Sequence, residues 1–452
     1  MDTAVEVTII ETSGLGDRSY LISADGTAVV VDPQRDIDRV LDLAGERGVQ
    51  ITHVLETHIH NDYVTGGLEL SRVTGAEYVV PAGDDVGYRR RAVSDGDVVD
   101  AGPVRLQVMH TPGHTHHHVS YVARDSRDSV VGVFTGGSML HGTTGRTDLL
   151  GAEHTQELSH AQFHSVRRLA AELPDTAQVY PTHGFGSFCS ATPASGDSST
   201  IADQRQTNPA LTRDEQSYVD ELIAGLGAYP AYYAHMGVIN TAGPEPVDLS
   251  LPEPVDPDEL RRRIEAREWV VDLRSRTAFA AGHLGGTLGF ELSESFVTYL
   301  GWLYSWGSPL TLIGDDVDQI ADARRELARI GVDNLTGSAV GDIRALAAGT
   351  PLRSYRVSDF AALGEAIRER RPAVLDVRQS GEFAEGHIPG AVNIPLHELS
   401  KRLQDVPDGE VWVHCASGYR SSIAASIIDR PGRTVVLVDD AFDQAEKLGL
   451  VS

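Results

Sequence analysis

The feature of this sequence that most narrows its possible folds is a repeat. The stretch V-V-D-L-R-S-R-T-A-F-A-A-G-H, from Val270 to His283, returns as V-L-D-V-R-Q-S-G-E-F-A-E-G-H, from Val374 to His387. Asp272 thereby matches Asp376, Arg274 matches Arg378 and His283 matches His387. Self-similarity of this kind means two copies of one supersecondary unit in tandem. Each copy reads strand, loop, helix, strand, which predicts two small α/β domains over 258–348 and 355–452. The preceding stretch, Pro244 to Pro257, alternates proline with acidic residues. Proline removes helix and ladder donors, so this stretch is expected to be an extended connector. A chain of 452 residues holds about three domains of roughly 150 residues each, and residues 1–243 form the remaining one.

The copies differ where chemistry would occur. In the second, a strand from Val411 to His414 runs into Cys415-Ala-Ser-Gly-Tyr-Arg420, and a helix is expected from Ser421. That order sets a thiol at the mouth of a loop whose N–H groups and helix N-terminus favour an anion. Arg420 is expected to add a fixed positive charge, a setting that lowers a thiol pKa and stabilises a persulfide. The first copy has L-T-L-I-G-D-D, Leu310 to Asp316, at the equivalent place and no cysteine. It can carry no sulfur, and it reads as a packing or spacing domain.

Residues 1–243 open with short β-rich runs, Val5–Ile10, Ser19–Ser23 and Ala28–Val31, consistent with an antiparallel meander. A helical stretch, Asp38 to Arg47, leads to a buried strand, Ile51 to Leu55. Beyond that strand the chain reads T-H-I-H-N-D-Y-V-T-G, so His58, His60 and Asp62 alternate within five positions and can turn toward one centre once the backbone bends. His114, in T-P-G-H-T, and His183, in Y-P-T-H-G, each follow a tight turn after a strand. Alternation sends His117 away from His116 and His118, so that run is expected to form a partly exposed edge. Cys189 is expected to be a structural thiol, with a substrate contact as the alternative.

The formal net charge of −27 disfavours nucleic acid and anionic membrane surfaces as partners. Two cysteines are too few for a disulfide framework. No apolar run reaches the roughly 18 residues of a membrane span, and the first 21 residues lack the basic start and apolar middle of a secretion signal. A cytoplasmic protein is the expectation.

The order H-x-H-x-D, T-P-G-H-T, F-T-G-G, P-T-H-G resembles the metallo-β-lactamase superfamily. T-H-I-H-N-D-Y-V-T-G-G, together with G-R-T-D-L at Gly145 to Leu149 and the later N-P-A-L and P-A-Y-Y, looks like its persulfide dioxygenase branch. Both repeat copies resemble rhodanese domains through D-x-R and G-H-x-x-G, and C-x4-R has the loop length of sulfur-transferring rhodaneses rather than the C-x5-R of cysteine phosphatases. The resemblance implies an α/β chain, an αββα metallo-β-lactamase sandwich followed by two α/β rhodanese-like domains. It implies a mononuclear iron, with zinc the other candidate, and oxidation of a low-molecular-weight thiol persulfide, such as glutathione persulfide, to sulfite with O2. Sulfane-sulfur transfer at Cys415, with sulfite or thiosulfate as further substrates, would join it in hydrogen sulfide metabolism. A homo-oligomer stays open.

Carried over by position, the iron ligands would be His58, His114 and the residue after Thr135-Gly136. That residue is Gly137, where the branch has Asp. His60 is expected to complete a three-histidine face in its place, with Asp62 and His183 as further candidate ligands, and Gly137→Asp would restore the carboxylate if the backbone accepts a side chain. Tyr63 stands where dinuclear members such as glyoxalase II carry a second-site histidine, which disfavours two-metal hydrolysis. Two alternatives remain open: a glyoxalase II-like thioester hydrolase joined to a rhodanese, and a non-catalytic binding module beside an active sulfurtransferase.

Overall fold

A computed structural model describes residues 5–192, 194 and 196–452. The chain divides into two compact units, Met1–Asp248 with Ala328–Gly331, and Leu249–Leu327 with Val332–Ser452.

The first unit holds two facing sheets. One has six strands in chain order: Glu6–Thr12, Asp17–Ala24, Thr27–Val31, Gln50–Leu55, Glu77–Pro81 and Arg91–Val93. The first three form an antiparallel meander and the rest pair in parallel. Helices Asp38–Arg47 and Gly67–Thr74 make the crossovers that parallel pairing requires. The second sheet orders Gln178–Pro181, Val130–Gly136, Val119–Arg124, Arg105–His110 and Val98–Asp100.

Alternation along each strand explains the layering. Tyr20, Ile22, Val29 and Val31 of the first sheet meet Leu106, Val108, Tyr121 and Phe134 of the second. Their neighbours Leu21, Ala28, Val30 and Val54 face the other way, onto Ile37, Val40 and Leu68 beneath the helices. The second sheet is covered in turn by Ala152–Glu172 and Glu215–Gly225, through Phe163, Val166, Leu169 and Val219. Strands buried on both faces read as unbroken apolar runs, as 28–31 does. The result is an αββα sandwich.

The second unit carries two all-parallel sheets. Four strands order Leu288–Gly289, Trp269–Asp272, Leu310–Gly314 and Leu335–Val340. Five order Arg356–Ser358, Thr434–Val438, Glu410–His414, Ala373–Asp376 and Val392–Asn393. The repeat motif proves to be a clamp. Arg274 and Arg378 fold back on Asp272 and Asp376, each with an Nη2–Oδ2 distance of 2.7 Å. They also donate to the carbonyls of Gly282 and Gly386, at 2.9 and 2.8 Å, tying each strand end to the end of the following helix. His283 and His387 then stack on Phe279 and Phe383, both at 4.0 Å. These spacings therefore specify the fold, and a buried arginine is kept there by its bidentate carboxylate.

The expected connector carries no helix or strand over 244–256, only a bridge from Pro254 to Ser338, and a helix starts at Pro257. The helix after Cys415 spans Tyr419–Ile428, two residues earlier than expected. No described helix is long and apolar enough to cross a membrane.

Candidate metal centre and sulfur-transfer site

Asp32 organises the first site. It ends the strand Thr27–Val31 with a left-handed φ of 51° and is fully buried. Its Oδ1 accepts the Thr57 N–H at 2.7 Å, and its Oδ2 accepts the Thr57 hydroxyl at 2.8 Å and the Thr182 hydroxyl as well. One carboxylate thus joins the loop after strand Gln50–Leu55 to the loop after Gln178–Pro181, the two that present His58 and His183.

The hydrogen bonds then fix the histidine tautomers. The Thr57 hydroxyl proton is committed to Asp32, so Thr57 Oγ1 accepts from His58 Nδ1 at 2.8 Å. His114 Nδ1 lies 2.7 Å from the Arg146 carbonyl, which can only accept. His183 Nδ1 lies 2.9 Å from Asp17 Oδ1 and 3.1 Å from Asp62 Oδ2. All three Nδ1 atoms are donors, which leaves Nε2 as the free nitrogen of each ring. His58, His114 and His183 are fully buried and offer ring nitrogens within 4.8 Å of one another. His58 Nε2 and His183 Nε2 are 3.4 Å apart, a contact that needs a proton or a cation between them. His114 Nε2 is buried with no hydrogen-bond partner, as is Asp62 Oδ1. Such orphaned atoms, on ligand types that suit transition metals, fit a bound cation.

The electrostatics agree. Burial, reinforced by His183, pushes His114 down to about 3, and burial with His60 pushes His58 well below the usual range, so both are neutral as ligands must be. Burial also acts against charge on His183, but Asp62 and Asp17 outweigh it and hold the ring up at about 10. A metal would take the place of that proton.

His60 is not brought into one group with His58 and His114, the face expected of it. Its Nε2 turns to Asp32 Oδ1 and Glu56 Oε2, each at 3.3 Å, and to the Tyr63 hydroxyl at 3.0 Å. Burial is overcome by Asp32 and Glu56, which hold His60 up at about 9. Burial raises Glu56, whereas Asp32 is held below its usual range against burial by His60, Thr182 and Thr57, so Asp32 is the carboxylate that pairs with His60. The group that includes His58 and His114 is completed by His183, while His60 belongs to separate groups with Asp62 and His183 and with Asp32 and Glu56.

Gly137 supplies no ligand, and the site is built around that. A Cβ there would lie 2.2 Å from His114 Cδ2, so the imidazole fills the space a side chain would need. Its N–H donates to His118 Nε2 at 3.0 Å, and His118 Nδ1 bonds Thr111 Oγ1 at 2.9 Å. His118 is therefore a fully buried support stacked on His58, not part of an exposed edge. His117 is exposed as expected. Cys189 is fully buried, 3.8 Å from the Tyr233 hydroxyl, and burial together with Asp62 and Asp17 pushes its thiol far up. That suits a structural role. Sequence reasoning missed Asp17, Asp32, Thr57 and Thr182. Asp32 alone left a signal, a polar residue ending an apolar strand before Pro33.

In the second unit, Cys415 follows strand Glu410–His414, with Sγ 3.5 Å from Ser421 Oγ. Gly418, at φ 90°, lets the loop pass Asp439, whose Oδ1 would sit 1.9 Å from any Cβ there. Arg420 does not present a free charge as expected: Glu382 binds it bidentately, at 2.5 and 2.7 Å. The first repeat copy packs against this loop. Tyr419 donates to its Glu291 carbonyl at 2.9 Å, and its Arg276 binds Asp439 at 2.8 Å. Its Tyr299, Trp302 and Leu303 face Gln379, Leu396 and His397 across a narrow cleft, with Trp302 stacked on His397 at 5.3 Å.

Residues 15–183 match the metallo-beta-lactamase superfamily and residues 359–447 the rhodanese-like domain. The chain belongs to the metallo-β-lactamase superfamily and carries a C-terminal rhodanese-like domain. Among its relatives is the mitochondrial persulfide dioxygenase ETHE1 of Homo sapiens, 28% identical over 242 residues, 53% of this chain and 80% of that protein. A hydroxyacylglutathione hydrolase of Pseudomonas entomophila (strain L48) is 31% identical over 219 residues, 43% of this chain and 81% of that protein. The crystal structure of a metallo-beta-lactamase from Staphylococcus aureus subsp. aureus COL is 29% identical, with a TM-score of 0.67 over 75% of this chain and 100% of that one. Homology to persulfide dioxygenases and a rhodanese-like domain together support a role in sulfur metabolism.

Proposed function

We propose that this chain oxidises a low-molecular-weight thiol persulfide to sulfite with O2 at one iron held by His58, His114 and His183, and that Cys415 transfers sulfane sulfur. The observation that carries the first half is the convergence of three buried imidazoles whose Nδ1 atoms are all committed to donating. Similarity to persulfide dioxygenase over 80% of that protein supports the reaction. Three nitrogen donors suit iron and leave positions open. Bound there, iron would supply the redox chemistry and the affinity for O2. The chain's own residues do the rest. Thr57, the Arg146 carbonyl and Asp17 orient the rings, and burial excludes bulk water. Asp62 Oδ1, buried and without a partner, is the acceptor available for a persulfide proton.

Similarity to hydroxyacylglutathione hydrolases supports a second reading, thioester hydrolysis. Against it stand the engagement of His60 by Asp32 and Glu56 and the absence of a side chain at Gly137. O2 uptake and sulfite release on glutathione persulfide, run beside hydrolysis of a hydroxyacylglutathione, separate the two. Persulfide-dependent O2 uptake is expected, and hydrolysis without it would overturn the proposal.

A further inference from the structure

We infer that the Cys415 site selects thiol persulfides over thiosulfate as its sulfur donor, because the cations around it are already neutralised. This rests on the reading of Cys415 as a sulfur carrier and names its donor. The arginines flanking the loop are Arg420, Arg276 and Arg378. Arg420 is bound bidentately by Glu382, Arg276 by Glu291 and Asp439, each within 2.8 Å, and Arg378 by Asp376 at 2.7 Å. Three arginines thus face four carboxylates, so the group offers no excess of positive charge to a dianion. Glu382 stays ionised there: burial opposes its charge, but Arg420 holds the carboxyl below its usual range. The cleft beside it is lined by Tyr299, Trp302 and Leu303 from the first repeat copy and by Gln379, Leu396 and His397 from the second. The Tyr299 ring lies 5.7 Å from that of Tyr419, within the Cys415–Arg420 loop, so it stands at the same mouth.

The two donors differ in what leaves. The Cys415 thiolate attacks the outer sulfur of R–S–SH, forming a Cys415 S–S bond and breaking the R–S–S bond. The electron pair departs on R–S⁻, which takes up a proton and leaves as neutral thiol. With thiosulfate the same attack breaks the S–SO3 bond, and the pair departs on sulfite, a dianion that needs positive charge beside it. Neither transfer needs an oxidant. The loop N–H groups serve the sulfur held on Cys415 with either donor, whereas a mouth whose arginines are paired favours the first leaving group and disfavours the second.

The test is the rate at which the full chain gains one sulfur on Cys415, followed by mass spectrometry, with glutathione persulfide and with thiosulfate as donors. Wild type is expected to load from the persulfide about tenfold faster or more. Glu382→Gln frees the Arg420 charge and is expected to raise thiosulfate loading about tenfold while persulfide loading changes by less than about threefold. Faster loading from thiosulfate in wild type, or an equal effect of Glu382→Gln on both donors, would overturn the inference. Glu382 also accepts the Gln379 N–H at 2.9 Å, so if the variant loses both rates, the wild-type ratio decides. If neither donor loads Cys415 in wild type, the sulfur-carrier reading falls, and the inference with it.

Discussion

Gly137 shows how a single position redirects a site. In the sequence its missing carboxylate looks like a vacancy that Gly137→Asp would repair. In the folded chain the His114 ring occupies that volume, with a Cβ position 2.2 Å from Cδ2, and the Gly137 N–H supports His118. Gly137→Asp is therefore expected to displace His114, lowering metal content and stability, the latter by about 1–3 kcal/mol as overpacking does. Thermal unfolding and metal analysis of that variant check this, and metal retention above wild type would contradict it. His60 teaches the same lesson through charge. Its place in H-x-H-x-D made it a ligand by spacing, but spacing does not reveal that Asp32 and Glu56 come together from separate strand ends. Ligand types near His58 were legible; their buried partners, Asp17 and Asp32, were not, because each lies far away in sequence.

Among the elements, strands and their periodicity were the most legible. The strands Gln50–Leu55 and Glu410–His414 begin within one residue of where apolar runs put them, and the helix Asp38–Arg47 falls where it was expected. The D-x-R clamp explains why the repeat was detectable at all, since each copy must rebuild the same buried ion pair. What sequence hid was the use of the first copy. It presents Tyr299 against Tyr419 of the Cys415 loop, and its His283, together with Arg353 from the link between the copies, binds Asp429, at 3.0 Å and 2.5 Å, at the end of the helix Tyr419–Ile428. Burial opposes the charge on Asp429, but Arg353 and His283 prevail and hold it down at about 2 against an ordinary 3.8. A depressed carboxylate stabilises the fold above its unfolded pKa and loses that contribution as pH falls through the folded one. The shift corresponds to about 2 kcal/mol. Asp429→Asn is expected to lower stability by about that amount at pH 7, with the gap narrowing below about pH 4 and closing near pH 2. Urea unfolding across that range measures it, and a gap that persists unchanged at pH 3 would contradict the assignment.

At the scale of the molecule, two separately cored units each carry one candidate site. Under the proposed function, covalent linkage would keep a released sulfur species at high effective concentration for the second site. The two activities are nonetheless expected to fail independently. His114→Ala should abolish persulfide-dependent O2 uptake, by at least about a hundredfold, and leave sulfur loading of Cys415 intact. Cys415→Ser should abolish loading, since only a thiolate can hold the sulfur, and leave O2 uptake. Assaying both activities in both variants checks this, and loss of both from either substitution would show that the sites are not separate.

The most direct test of the central claim is the metal content of the chain purified without added metal, for wild type, His183→Ala and His60→Gln. Completion of the centre by His183 predicts about one metal per chain in wild type, near-complete loss in His183→Ala and retention in His60→Gln. Metal retained in His183→Ala but lost in His60→Gln would return the third position to His60 and contradict the account, as would wild-type protein that holds no metal.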